Sequence, residues 1–192
     1  MLNFNNIGVV ILMTNEKDKF NYIYEMIFND DTLKVGKSIT DSMLRTAISY
    51  NITTVDKVKD LSEDDIKDIY YKMIWKACGA EQLKYPLNLI QFENAMDITP
   101  TSAIRALQKA INEESGYGVI KTNGFLDLNT LRYIERLTST NDEIRSLCTT
   151  YLFMRNDYYE MLSKKHTKNK NELPSKKAIL SRLMEIVNGF MD

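Results

Sequence analysis

From Glu16 onward, apolar residues recur at helical spacing: Phe20, Ile23, Tyr24, Ile27 and Phe28 fall at i, i+3, i+4, i+7 and i+8. Such a stripe covers one face of an amphipathic helix and predicts a first helix turned toward the core. Asn29-Asp30-Asp31 ends it, because short polar side chains compete for local backbone groups, and Gly36 falls in the connector that follows. Thr40 or Asp41 can cap a second helix running to Tyr50, with Met43, Leu44, Ala47 and Ile48 as its apolar face. Ser62-Glu63-Asp64-Asp65 starts a third, its acidic residues suited to the positive end of the helix dipole. The inner stripe there reads Ile66, Ile69, Tyr70, Met73 and Ala77. Trp75 lies off that stripe and is expected to pack on another element.

Pro86 opens a fourth helix near Leu87, and Thr99-Pro100 starts a fifth with proline at its tolerated first position. Ala103, Ile104, Leu107 and Ile111 give that helix its buried face. Gly116, Gly118 and Gly124 mark a connection, after which Asp127 can cap a short helix to Leu137. Thr140-Asn141-Asp142-Glu143 has capping-box spacing ahead of a long helix that carries Ile144, Leu147, Cys148, Tyr151, Leu152, Tyr158 and Leu162. Residues 163–172 are polar and lysine-rich, which predicts a loop, and a last helix is expected after Pro174 with Ile179, Leu180, Leu183, Met184, Val187 and Phe190 inward. The continuous β-branched run Ile7 to Leu12 fits one short N-terminal strand or an extended segment under the first helix.

Three prolines and seven glycines in 192 residues, with 44% hydrophobic and 27% charged positions, reinforce the helical pattern and point to an all-α fold with a substantial core. Charge then narrows the partners. Twenty-five Lys and Arg against 26 Asp and Glu leave a net charge of −1, which offers no field for a phosphate backbone, so nucleic acid is not expected. Cys78, Cys148 and the single His166 lack metal-ligand or disulfide spacing, so both thiols are expected to be buried and no cofactor or metal is implied. The apolar run Ile7 to Met13 is shorter than the ~20 residues of a membrane span and lacks a preceding basic residue, so neither a span nor a signal peptide is expected.

Several segments share their order with one enzyme family. Ile69-Tyr70-Tyr71-Lys72-Met73-Ile74-Trp75 is followed by Phe92-Glu93-Asn94-Ala95, then Ala103-Ile104-Arg105-Ala106-Leu107-Gln108, then Asn123-Gly124 with Thr130-Leu131. Met154-Arg155-Asn156-Asp157-Tyr158-Tyr159 and Ala178-Ile179-Leu180-Ser181-Arg182-Leu183 close the series. Together they resemble the lysozyme-like muramidases of glycoside hydrolase family 108. The resemblance implies a lysozyme-like helical part over residues 1–97 and a C-terminal helical module of peptidoglycan-binding type over 98–192. It also implies a general acid in a Glu-Gly-Gly motif at the end of the first helix, a motif this chain lacks.

Lysozyme chemistry needs a carboxylic acid with a raised pKa to protonate the leaving oxygen, and a second carboxylate or positioned water at the anomeric carbon. By spacing from Phe20 and Ile27, Asp30 or Asp31 stands where the family's glutamate falls, one methylene shorter and without the glycines. The following loop keeps only Ile39-Thr40 of the family pattern. Glu25 is the other nearby acid, on the face opposite the apolar stripe. The expectation is a catalytically degenerate protein, kept as a scaffold or a peptidoglycan-binding piece and, because the family is common in phage genomes, placed in a bacteriophage virion or tail among other particle proteins. The alternative is a divergent muramidase that uses Asp30 or Asp31 as acid. Trp75 and Ile7 to Met13 are the candidates for surface covered by partners, and Lys164, Lys165, Lys168 and Lys170 form a solvated basic run that could touch anionic wall polymers.

Overall fold

The computed structural model describes residues 15–165 and 167–190, and the Ile7 to Met13 segment and His166 lie outside them. Eight α-helices are found there: α1 (Glu16–Phe28), α2 (Asp41–Ser49), α3 (Glu63–Tyr70), α4 (Leu87–Asp97), α5 (Pro100–Ser115), α6 (Leu128–Arg136), α7 (Asn141–Ser163) and α8 (Thr167–Gly189), with no strand among the described residues. The capping chemistry is local and explicit. Thr40, Thr99 and Asp127 each accept a backbone N–H of the helix they start. Ser62 with Asp65, and Thr140 with Glu143, close reciprocal capping boxes that satisfy the otherwise unpaired first-turn amides.

Helix α4 occupies the centre. Nine consecutive residues, Leu87 to Ala95, are buried, so it is enclosed on every side and packs directly on α5 and α7. Phe20 of α1 meets Phe92 of α4 and Trp75 edge-on at 5.8 Å each, and Trp75 meets Phe92 at 5.4 Å, an aromatic cluster that fastens α1 to α4. On the other side, Ala103, Leu107 and Ile111 of α5 are fully buried, as are Leu147 and Tyr151 of α7 and Leu183 and Val187 of α8. One buried cluster therefore runs from Phe20 to Phe190 and is shared by residues on both sides of position 97. Cys78 and Cys148 are free, buried thiols, and burial pushes Cys78 up to about 12.

Three local expectations are corrected. Trp75 is fully buried inside the chain and Ala77 is exposed, the reverse of the α-helical stripe. The reason is a π-helical turn, Tyr71–Trp75, in which the Lys76 N–H reaches back five residues to the Tyr71 carbonyl. The extra residue in that turn advances the phase, so Ile74, Trp75 and Cys78 face inward. Trp75 is thus no partner surface. The lysine-rich stretch expected as a loop is helical from Thr167, and Pro174 lies within α8. Lys, Asn and Glu permit that helix, Leu173 packs against the core, and the Ser175 hydroxyl donates to the Glu172 carbonyl at 2.8 Å. Tyr158 is 45% exposed, and Arg155 and Tyr159 take the buried positions on that part of α7.

Candidate functional site

The acids singled out by their place after α1 have separate environments. Asp30 Oδ1 accepts the Thr32 and Leu33 backbone N–H groups at 2.9 and 3.1 Å, the turn chemistry that stops the helix. Its Oδ2 accepts Arg182 Nε of α8 at 2.7 Å, from 152 positions away. Burial would raise this carboxyl, but the bonds from Arg182, Leu33 and Thr32 outweigh it and hold Asp30 below the usual range. Asp31 has a side chain 93% exposed and pairs with Lys34 at 2.6 Å. Glu25 pairs with Lys67 at 2.7 Å, and that hydrogen bond, against a smaller burial effect, holds it low. Thr40, from the one retained loop pair, caps α2.

A buried cluster of charges lies deeper. Glu93 of α4 is fully buried, with Lys37 Nζ at 2.8 Å on one oxygen and Arg155 Nη2 at 2.6 Å on the other. Burial would push its carboxyl up, and the two cations more than reverse this, so it is held low as a carboxylate. Arg155 Nη2 also reaches the Tyr159 hydroxyl at 3.1 Å, and that hydroxyl donates to Asp97 Oδ2 at 2.5 Å. Lys176 of α8 completes the chain of contacts at Asp97. Beside it, the Tyr151 hydroxyl accepts from Asn94 at 2.8 Å and lies 2.7 Å from Gln91 Oε1. Sequence reading placed Glu93 and Arg155 in framework motifs but gave neither a role. The available signal was a charged residue inside a helix whose apolar residues, Leu87, Leu89, Ile90, Phe92 and Ala95, fall on every face.

Other motif residues also prove to be joints. Gln108 Nε2 bonds Asn123 Oδ1, the Phe125 carbonyl and Thr130 Oγ1 at 3.0, 2.8 and 3.2 Å, and its Oε1 accepts the Gly124 N–H at 2.9 Å. Gly124 has φ +83°, and a Cβ there would sit 2.7 Å from Thr101 Cγ2 and 3.1 Å from the Thr101 carbonyl oxygen. These residues therefore fix the loop between α5 and α6.

Two recesses flank the central helix. One of about 440 Å³ is lined by residues including Lys19, Glu81, Lys84, Asn88, Asn141 and Phe190. Glu81, not considered from sequence, has a buried Oε2 without a hydrogen-bond partner among the described residues. The other recess, about 310 Å³, lies against α4, α5 and α7 and includes Arg155 in its wall. Among the described residues no group of His, Cys, Asp and Glu is placed to hold a metal ion, and none of their helices is long and apolar enough to cross a membrane.

Residues 29–98, which run from the end of α1 through α4 and include Asp30, Asp31 and Glu93, match the family Glycosyl hydrolase 108. The chain is also similar to a solved structure described as that of Brucella abortus SagA, at 20% identity over 89% of this chain and 97% of that one, with a TM-score of 0.60. No curated protein matches it. The fold is thus all-α among the described residues and like that of the SagA structure, and residues 29–98 carry the glycosyl hydrolase 108 pattern.

Proposed function

We propose that this chain is a peptidoglycan-binding protein on a lysozyme-like framework that has lost general acid catalysis at the end of α1. The observation that carries the reading is the Arg182 bond to Asp30. An acid must hold a proton near neutral pH, whereas Asp30 is a stabilised carboxylate whose oxygens are already engaged by Arg182 and two backbone amides. Asp31 stands out in solvent beside Lys34, with no apolar enclosure around its carboxyl. The resemblance that suggests the wall as partner also suggests a bacteriophage particle as its setting, which protein identification on purified virions would check.

The test is muropeptide release from purified peptidoglycan, with co-sedimentation measured in parallel. The expected result is co-sedimentation without release of reducing ends, unchanged in Asp30→Asn and Asp31→Asn. Robust release by the wild type, abolished by either substitution, would overturn the reading and identify the acid. A second reading rests on Glu81, whose unpartnered oxygen in a recess could serve a retained hydrolytic centre. Release abolished by Glu81→Gln alone would establish that one instead.

A further inference from the structure

The recess against α4, α5 and α7 combines features that the Asp30 region lacks. It encloses about 310 Å³, at the small end of the range for organic ligands. Arg105, Lys109 and Arg155 line it together with Asn94, Ser102 and Tyr158, and no carboxylate does. Arg155 is 4% exposed. Its Nη2 serves Glu93 and Tyr159, and its Nε and Nη1 are buried with no hydrogen-bond partner among the described residues. A buried guanidinium with unmet donors is an unusual condition in a folded protein, where such groups are nearly always paired.

Charge counting specifies the missing partner. Behind the recess, the cations Lys37 and Arg155 share the single carboxylate Glu93, which leaves one positive charge in excess at that buried pair. Arg105 and Lys109 add cationic side chains at the exposed rim. The rest of the wall is largely apolar, with Ile98, Ala106 and Met154 in its lining. A monoanion carried on a ring or short apolar body matches the single excess charge at the buried end, whereas a dianion would carry a larger desolvation penalty into it. We infer that this recess binds a small organic carboxylate, with Arg155 as the buried anion anchor and Arg105 and Lys109 steering it in.

The chemistry could come from a carboxylate of the wall, such as the lactyl group of N-acetylmuramic acid on glycan strands that have lost their stem peptides, or from a free small acid. The first source rests on the proposed wall-binding function, and the second does not. The full chain, labelled with nitrogen-15, should be titrated with N-acetylmuramic acid, benzoate, benzamide and inorganic phosphate while backbone amides of the three helices are followed. Saturable shifts with either acid, absent with neutral benzamide, are expected. Shifts with neither acid, or equal shifts with phosphate, would overturn the inference. Response to benzoate without N-acetylmuramic acid would uphold the site and count against the wall as its source; tighter binding of N-acetylmuramic acid would support both. Replacing the exposed pair, Arg105→Ala with Lys109→Ala, should weaken binding about tenfold without changing thermal unfolding. Arg155→Lys retains a cation for Glu93 but removes the guanidinium donors, so a cooperatively folded variant that binds like wild type would also overturn the inference.

Discussion

Glu93 and Asp30 each meet an arginine supplied by the long C-terminal helices, Arg155 of α7 and Arg182 of α8, at 2.6 and 2.7 Å. The pairs differ in what surrounds them. Glu93 and Arg155 are 1% and 4% exposed and are held between Lys37 and Tyr159, whereas Asp30 and Arg182 keep 12% and 28% of their side-chain surface, and Arg182 also reaches Glu185. In the first, the paired side chains are closed off from bulk water at 1 to 4% exposure, so each charge depends chiefly on the others. In the second, water can step in, and the pair works chiefly to position α8 against the loop after α1. Similar distances therefore describe different energetics, and burial decides between them.

The severest challenge to that contrast is Glu93→Gln. It leaves Lys37 and Arg155 buried without their shared counter-charge, so a loss of about 3 to 5 kcal/mol is expected in urea unfolding. A loss under about 1 kcal/mol would show that water reaches the cluster and that the contrast fails. Tyr159→Phe asks a narrower question. It removes one hydroxyl bonded to Asp97 and Arg155 while Asp97 keeps Lys176 and Arg155 keeps Glu93. About 1 to 2 kcal/mol is expected by the same measurement. An effect as large as that of Glu93→Gln would mean that the cluster acts as one unit through this hydroxyl.

The contrast also marks what could be read in advance. Helix positions were legible because caps such as Thr99 and Thr140 and stripes such as Ile104, Leu107 and Ile111 are local signals. Trp75 does pack on other elements, Phe20 and Phe92, as expected, but its candidacy as partner surface failed because its inward direction depends on a π turn, and no residue type announces that phase change. The start of α8 was hidden because Pro174 and the lysines read as punctuation, while Leu173 and the length of α7 supply packing that overrides them. The position of Asp30 at the end of α1 was legible, but its partner Arg182 is a tertiary fact. So is the meeting of Glu93 with Lys37 and Arg155, which lie 56 and 62 positions away.

The smallest expected effect, and the one that joins the comparison to function, concerns Asp30 and pH. Burial alone would raise its carboxyl, but Arg182 and the Leu33 and Thr32 amides hold it below its unfolded value, so the folded state favours the deprotonated form. Its stabilisation is then fully present above the unfolded pKa, about 3.9, and is lost as pH falls through the lower folded value. Asp30→Asn keeps an oxygen for the two amides and loses the charge for Arg182, so a loss of about 1 kcal/mol is expected near neutral pH, discounted because the arginine is partly solvated. Chemical unfolding of wild type and Asp30→Asn from about pH 7 down to about pH 3 should show that gap constant at first and shrinking only below about pH 4. A gap that instead widened as pH fell below about 6 would mean that folded Asp30 takes up its proton in the range a general acid requires. That result would count against Arg182 as its controlling partner and would return Asp30 to contention as the acid.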